Sequence, residues 1–500
     1  MQSLLFLASL AAAAYAQINL TSCNATDLAC IVNRTLADQA LLETPNYVTV
    51  PIEDDPFYST PSNFSAQDAQ PGQILKIEAH SNISSYAIPP GQSLSRIMYT
   101  SVDEKGSVVP ATAAILWPFT PKPFNNSSPN TYPLVAWAHG TSGVFRQCAV
   151  SNMRNLQYDF RSVFTLASVG YAVVIADYVG LGTDQPFSYL AYKLHANDVV
   201  YAVQASQSAF PQLSAEWVSF GHSEGGGVAW AIGERQAVAE IALPGFLGTI
   251  AAAPPPFPIA NTAPVGHSVF VAFLSFTIAH LYGLNLTEIF NPVPLQALQR
   301  VRDISGCNDA GYAALATFSA DDIYANTSWP LSQPARDFAK DYSVSGRPLG
   351  GPMLIIQGEN DTVVGTAGAQ AGFNATCSLA GLNGSGNETA ALSVEYVSVR
   401  GQDHNPSLYA SQRLWLQWIE DRFNGLPTAR SGCWRTELGP GSNTNVDSDS
   451  QGGNAAAQVQ LPERFVVQYS RPWVTIFSST FLPLRLQAEN SGFVDPPSGA

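Results

Sequence analysis

One short segment of the chain, GHSEG at residues 221–225, sets a serine between two glycines at the spacing G-x-S-x-G. A run of strand-forming residues precedes the segment and a helix-forming run follows it. In this context the serine occupies a sharp turn that projects its hydroxyl above a sheet, and the glycines avoid clashes between strand and helix. We therefore predict that Ser223 is a nucleophile. The alternative is a purely structural turn.

A serine hydroxyl is a weak nucleophile, so it needs an imidazole to take its proton and a carboxylate to hold that imidazole. Asp361, in IIQGENDTVV, and His404, in GQDHNPS, each lie in a loop after an apolar strand-like run. The chain order Ser223, Asp361, His404 is the order of an α/β-hydrolase triad. Glu359 is the rival acid. Asp403 is interpreted as a loop residue because neighbouring side chains project in different directions.

A tetrahedral intermediate also needs hydrogen-bond donors for its oxyanion. The backbone N–H of Glu224, directly after the nucleophile, is one predicted donor. The loop after the strand-like run at 132–138 is predicted to supply the other, from Gly140, Thr141 or Gly143, and Thr141 could add its hydroxyl. We interpret His139 and His222 as structural residues.

The elements that position these residues follow from hydrophobic patterning. Short, nearly continuous apolar runs predict strands that are covered on both faces of a sheet: 95–101, 108–116, 132–138, 171–176, 217–220, 246–252, 353–357 and 392–399. The first two are joined by a predicted hairpin turn at 103–106. The intervening patterns predict helices at 197–210, 225–241 and 408–423. Strand and helix alternate, so we predict an α/β fold with a mainly parallel sheet.

The interval between two of these strands is too long for a single crossover, and we predict an inserted helical cap or lid at 258–350. Its apolar stretch HSVFVAFLSFTIAHLYGLNL, at 267–286, has too short an apolar core to span a membrane. It is interpreted as a helix buried against the main domain, or as a lid or acyl-chain wall.

The remaining organisation is predicted from composition. Residues 1–16 are typical of a cleaved secretory signal peptide, and 17–70 of a segment that wraps the surface. The hydrolase core is expected at 71–257 and 351–436. Residues 437–460 have the composition of a flexible linker, and 461–500 form an apolar segment or flap.

Charge and cysteine content restrict the partners. The formal net charge of −15, with only 12% charged residues, argues against nucleic acid and anionic membrane surfaces. Six cysteines with no zinc-site spacing favour three disulfides in an oxidising compartment, although spacing leaves fifteen pairings open. Many Asn-x-Ser/Thr sequons indicate a glycoprotein. We expect a secreted, extracellular monomer with no transmembrane segment.

The motifs LVAWAHGTSG, IADYVGLG, FGHSEGGG, IIQGENDTVV and GQDHNPS, in this order, resemble the fungal secretory lipase family, the lipase A branch of the α/β-hydrolases. The resemblance covers roughly residues 70–435. It implies that Ser223, Asp361 and His404 are nucleophile, acid and base. It also implies disulfides between Cys148 and Cys307 and between Cys377 and Cys433, which leaves Cys23 with Cys30.

The predicted activity is hydrolysis of a carboxylic ester through an acyl-enzyme, with no metal or cofactor. A triacylglycerol lipase that acts on lipid is the first choice because the apolar cap could form an acyl tunnel, and a lipid–water interface is its expected place of action. An esterase or deacetylase for a smaller metabolite ester is the alternative, since fold alone does not select the acid. A serine peptidase and a non-catalytic hydrolase-fold glycoprotein are the remaining hypotheses.

Overall fold

The computed structural model describes residue 30 and residues 49–125, 127–157, 162–259, 269–304, 306–315, 318–379 and 393–439. The strands in this part of the chain are β1 Ile74–Glu78, β2 Gln92–Val102, β3 Val108–Pro118, β4 Tyr132–Ala138, β5 Ala172–Ala176, β6 Leu213–His222, β7 Phe246–Ala252, β8 Met353–Gly358, β9 Ser393–Val399 and β10 Gly432–Leu438. These ten described strands form one sheet in the order β1-β2-β3-β5-β4-β6-β7-β8-β9-β10.

The sheet is antiparallel at one edge and parallel elsewhere. Strands β1 to β3 form an antiparallel meander, and β3 also pairs antiparallel with β5. All pairs from β5 to β10 are parallel. Every residue of β5 and of β8 is buried, as expected for strands that are covered on both faces. The predicted α/β class with a mainly parallel sheet is confirmed.

The α-helices in the described part of the chain are α1 Val163–Ser168, α2 Tyr192–Ala209, α3 Glu224–Arg235, α4 Val269–Tyr282, α5 Leu286–Ile289, α6 Pro292–Asp303, α7 Asn308–Leu315, α8 Ala320–Ile323, α9 Gln333–Tyr342, α10 Thr366–Leu379, α11 His404–Ala410 and α12 Gln412–Phe423. Helices α4 to α9 all lie between β7 and β8, so the long interval in the sequence is a helical insertion. We call α4 to α9 the cap.

The apolar stretch of the cap forms α4, which is mostly buried. The ring of Phe273 in α4 lies edge-on to Tyr189, with ring centres 6.1 Å apart, and Phe270 packs against Tyr312 of α7 at 5.6 Å. Within the described ranges, no helix combines the length and apolarity needed to cross a membrane. The stretch is therefore a helix that packs within the protein.

Several element boundaries differ from the prediction. Helix α3 ends at Arg235 and not at 241, and the helix predicted at 408–423 is the pair α11 and α12. Strands β1 and β10 were not predicted, because both are edge strands and lack a continuous apolar run. Strand β10 ends at Leu438, two residues past residue 436, where the hydrolase core was predicted to end.

The segment at 17–70 was predicted to wrap the surface, and the described part of it does more than that. Ile52, Phe57 and Tyr58 are buried in the main hydrophobic core. These apolar residues are isolated among polar ones, so they show no period from which burial could be predicted. The predictions for 1–16 and 461–500, and for nearly all of 437–460, lie outside the described residues.

Two disulfides join distant parts of the chain. Cys148, in the loop after β4, is bonded to Cys307 of the cap, and Cys377 of α10 is bonded to Cys433 of β10. These are the two pairs that the family resemblance implies. Cys23 lies outside the described residues, and so does its expected bond with Cys30.

A buried ion cluster holds the segment at 49–70 against the sheet. Arg96 of β2 contacts Asp55 at 2.7 Å and Glu78 of β1 at 2.9 Å. Its guanidinium also lies 4.3 Å from the ring centre of Phe57. One side chain thus connects two strands with the preceding segment.

Arg96→Met should lower the free energy of unfolding by about 3 kcal/mol, because two carboxylates lose their shared partner. The measurement is urea unfolding monitored by tryptophan fluorescence. Arg400→Met is the control, since the Arg400–Glu437 pair is about half exposed on both sides, and it should cost less than about 1 kcal/mol. A loss in Arg96→Met no larger than that in Arg400→Met would show that the Arg96 cluster stabilises the fold no more than an exposed ion pair does.

Candidate active site

Three of the residues singled out in the sequence follow three strands of the parallel part of the sheet. Ser223 comes directly after β6, Asp361 comes shortly after β8, and His404 comes shortly after β9. Parallel strands bring their carboxyl ends to the same edge of a sheet, which is where α/β proteins place their ligands. The topology therefore gathers the three side chains at one edge.

Ser223 lies in a sharp turn between β6 and α3. Its φ of 61° and ψ of −125° are unfavourable for a residue with a side chain, and such strain is characteristic of functional turns. Strand and helix cross so closely that a Cβ on Gly221 would lie 1.9 Å from the carbonyl oxygen of Gly225. Ser223 is the one residue between 217 and 235, all of them described, that is not buried. The turn thus presents this serine to the outside of the core.

The predicted acid and the predicted base are in direct contact. His404 Nδ1 donates to Asp361 Oδ2 over 2.8 Å. The carboxylate accepts three more hydrogen bonds, from Gln357 Nε2 at 2.9 Å and from the backbone N–H groups of Val363 and Val364 at 2.9 and 2.7 Å. These donors fix the carboxylate in place. Because Nδ1 donates to Asp361, Nε2 is the nitrogen of His404 that is able to accept a proton.

The other acids near the base have different partners. Glu359 is exposed and accepts from the backbone N–H of Gly401 at 2.9 Å. Asp403 caps α11 and accepts from the backbone N–H groups of His404 and Thr362, both at 2.8 Å. The structure therefore pairs His404 with Asp361, and it leaves Asp403 as the loop residue that we expected.

Two further histidines line the site but are held neutral. Burial and the neighbouring His404 keep the pKa of His222 well below its usual value, and the His222 and His404 rings lie 4.6 Å apart. Burial lowers the pKa of His139 to about 4, and its Nδ1 bonds to the carbonyl oxygen of Gly140 at 2.7 Å. His222, next to Ser223, thus brings the turn after β6 against the base.

The loop after β4 (residues 139–143) contains the predicted oxyanion donors Gly140, Thr141 and Gly143, so we call it the oxyanion loop. It is attached to the cap. Asn308 of α7 donates through its side chain to the carbonyl oxygen of Thr141 and through its backbone to that of Ser142. The loop bends back at Gly143, with a φ of 142°, where a Cβ would lie 2.5 Å from the Cys148 sulfur. The disulfide from Cys148 to Cys307 reinforces the same connection.

Some residues of this region carry no signal in the sequence. Besides Asn308, the Gln157 side chain donates to the carbonyl oxygen of Thr141, and the Tyr189 hydroxyl lies 2.8 Å from that of Thr141. Each contact joins positions that are far apart in the chain. Such contacts between isolated polar residues have no local pattern, so only the folded structure reveals them.

Comparison with known proteins identifies solved structures whose fold is similar to that of this chain. No protein-family model and no curated protein matches the sequence. Candida antarctica lipase A in its closed state matches over 76% of this chain and 89% of its own, at 16% identity and a TM-score of 0.59. A second structure of that lipase has a TM-score of 0.61, at 15% identity, over 78% of this chain and 89% of its own.

A ligand-bound structure of the rice cell wall degrading esterase LipA from Xanthomonas oryzae also matches. It covers 71% of this chain and 97% of its own, at 18% identity and a TM-score of 0.53. Identities this low establish a likeness of fold. The described part of the chain therefore has the α/β-hydrolase fold, in the form found in lipase A and its structural relatives.

Proposed function

We propose that the protein is a serine-dependent carboxylic ester hydrolase that works through an acyl-enzyme. The observation that carries the proposal is the Asp361–His404 hydrogen bond of 2.8 Å, at the sheet edge where Ser223 occupies a strained turn. Together the three residues supply the nucleophile, the base and the acid of a serine catalytic triad. The fold shared with a lipase and an esterase supports the same reaction class.

In the proposed mechanism, the Ser223 oxygen attacks the ester carbonyl carbon while His404 Nε2 accepts the serine proton. Asp361 stabilises the imidazolium that forms. The C–O bond to the alcohol then breaks, and the imidazolium returns its proton to the departing alcohol oxygen. Water attacks the acyl-enzyme by the same route, which releases the carboxylic acid and restores Ser223.

The oxyanion of each tetrahedral intermediate is proposed to bind two sets of donors. One is the backbone N–H of Glu224 at the start of α3, where the helix dipole also favours negative charge. The other is the oxyanion loop, with Gly140, Thr141 and Gly143 as the candidate residues. Removal of one such donor typically costs about 10²- to 10³-fold in kcat.

The first-choice substrate is a triacylglycerol. Helix α4 contains no Asp, Glu, Lys or Arg, and Phe270 and Phe276 are only half-buried on it. An apolar cap of this kind suits long acyl chains. The alternative is a smaller metabolite ester, since the same catalytic residues accept many acids and the fold alone does not select among them.

We further propose that the protein is secreted and acts outside the cell. Disulfides such as Cys148–Cys307 and Cys377–Cys433 persist in oxidising compartments. The N-terminal sequence and the sequons support the same location.

Ser223→Ala should lower turnover of p-nitrophenyl esters by about 10⁶-fold, because the members of a serine triad act as a unit. The assay runs from acetate to palmitate and then to emulsified triolein. Ser214→Ala, at the far end of β6, is the matched control and should retain full activity, because the Ser214 hydroxyl oxygen accepts a local hydrogen bond from the Glu216 N–H at 2.9 Å.

The chain-length profile separates the substrates. A preference for palmitate and triolein that disappears in Ser223→Ala supports a lipase, and activity confined to short chains supports the smaller ester. A wild-type protein that cleaves no ester refutes the proposal and favours the peptidase or the inactive scaffold.

Asp361→Asn should lower kcat by about 10⁴-fold while the fold is retained, because an amide no longer selects the His404 tautomer that presents a basic Nε2. Glu359→Gln is the control, since Glu359 is exposed and contacts Gly401, and its kcat should stay within about twofold of wild type. A larger loss of kcat in Glu359→Gln than in Asp361→Asn would show that the acid is Glu359 and that the assignment to Asp361 is wrong.

A further inference from the structure

A buried acid–base pair, Glu224 and His195, lies beside the nucleophile and has no part in the proton transfers described above. Glu224 directly follows Ser223, and His195 lies in α2. Both side chains are only 1% exposed. The Nε2 atom of His195 lies 3.7 Å from Glu224 Oε1. Charged groups are rarely buried this deeply unless they are paired, so the pair needs an explanation.

Two acceptor oxygens and two aromatic rings surround His195. Nδ1 lies 3.5 Å from Asp198 Oδ2, and Nε2 lies 2.8 Å from the carbonyl oxygen of Ser188. The rings of Tyr178 and Phe187 stack on His195, with centres 4.4 and 5.1 Å away. These contacts fix the imidazole in place beside Glu224.

The carboxyl group of Glu224 is contacted from three different segments. Oε1 accepts from the backbone N–H of Leu190 at 3.4 Å and faces His195. The Thr141 hydroxyl, from the oxyanion loop, also interacts with this carboxyl and lowers its pKa. Tyr189 holds that hydroxyl from the other side at 2.8 Å. The carboxyl group thus lies where the nucleophile turn, the oxyanion loop and the segment before α2 meet.

We infer that Glu224 is a positioning residue. Its carboxylate, paired with His195, holds the backbone N–H of Glu224 and the oxyanion loop at the separation that the oxyanion requires. The inference rests on the proposed function, because it assigns these two sets of donors to one oxyanion. The backbone of Glu224 supplies one donor. Its side chain aligns the other, so that one residue links both halves of the oxyanion hole.

The linkage depends on the charge of the carboxylate and therefore on pH. Burial raises the pKa of Glu224 to about 7, although His195, the Leu190 N–H and the Thr141 hydroxyl oppose that rise. Tyr189 and Tyr192 also face the group and stay neutral, since burial and Glu224 raise the pKa of both. As the pH falls through about 7, Glu224 gains a proton and the attraction to His195 is lost. Activity should then fall with it.

The test is the pH dependence of kcat/KM for a p-nitrophenyl ester, in wild type and in Glu224→Gln, which keeps the shape of the side chain and removes its charge. In Glu224→Gln we expect kcat to fall by about tenfold or more at pH 8, with KM within about twofold, because transition-state binding is what suffers. On the acidic side of the wild-type profile, kcat/KM should fall through two protonations, one of the base and one of Glu224. In Glu224→Gln it should fall through one protonation.

Glu234→Gln is the matched control. Glu234 lies on the same helix, is also buried and pairs with Arg347 at 2.8 Å, but it is at the far end of α3 from Ser223. This variant should lose stability and keep kcat and the wild-type pH profile. The same loss of kcat in both variants would mean that any buried charge on α3 matters, and would overturn the inference.

Thermal unfolding supplies a second measurement. The Glu224 pKa is raised from its ordinary value of 4.5 to about 7, so folding is penalised as the pH rises through this window. Glu224→Gln removes that penalty, and its melting temperature should rise relative to wild type between pH 5 and pH 8.

The outcomes separate the two proposals. If the wild type is active and its kcat/KM falls through a single protonation on the acidic side, the role of Glu224 is overturned and the hydrolase function is left intact. This result does not depend on a variant that folds. Unchanged kcat in Glu224→Gln does the same. A wild type that cleaves no ester refutes the hydrolase function, and the positioning role with it.

Discussion

The close crossing of β6 and α3 is the constraint on which the site depends. A Cβ on Gly221 would lie 1.9 Å from the carbonyl oxygen of Gly225, and a Cβ on Gly225 would lie 1.9 Å from the carbonyl oxygen of Ala138 in β4. The chain can make this turn only if Ser223 accepts a left-handed φ of 61°. That conformation exposes the serine, and it directs Glu224 inwards as the first residue of the helix. One steric requirement therefore places both the proposed nucleophile and the buried carboxylate beside it.

The cap is bound to this region by covalent and polar contacts as well as by apolar packing. The Cys148–Cys307 disulfide and Asn308 hold the cap to the oxyanion loop. Phe273 of α4 lies against Tyr189, whose hydroxyl is bonded to Thr141. A displacement of the cap would therefore reach the oxyanion loop directly.

The buried polar groups near the nucleophile divide into two sets. Asp361 and His404 form the proposed acid–base pair, and the carboxylate there has four hydrogen-bond donors. Glu224 and His195 form a second pair with poorer hydrogen bonds, and the burial of Glu224 raises its pKa. The donors around Asp361 hold the first pair in a fixed geometry. In the second pair the Glu224 carboxyl, with a pKa of about 7, changes its charge near neutral pH, which suits a group that tunes the site.

The sequence alone determined the α/β class, the parallel strands and the candidates Ser223, Asp361 and His404. These signals are local: a continuous apolar run, a glycine-flanked serine and polar residues directly after a strand can each be recognised within a short window. Edge strands such as β10 could not be predicted in this way, because half-exposed strands carry polar residues. The tertiary structure alone decided that Asp361 and not Glu359 meets His404, that Asn308 holds the oxyanion loop, and that Glu224 faces His195. Each of these contacts joins segments far apart in the chain, and their distances depend on the packing of the whole sheet and cap.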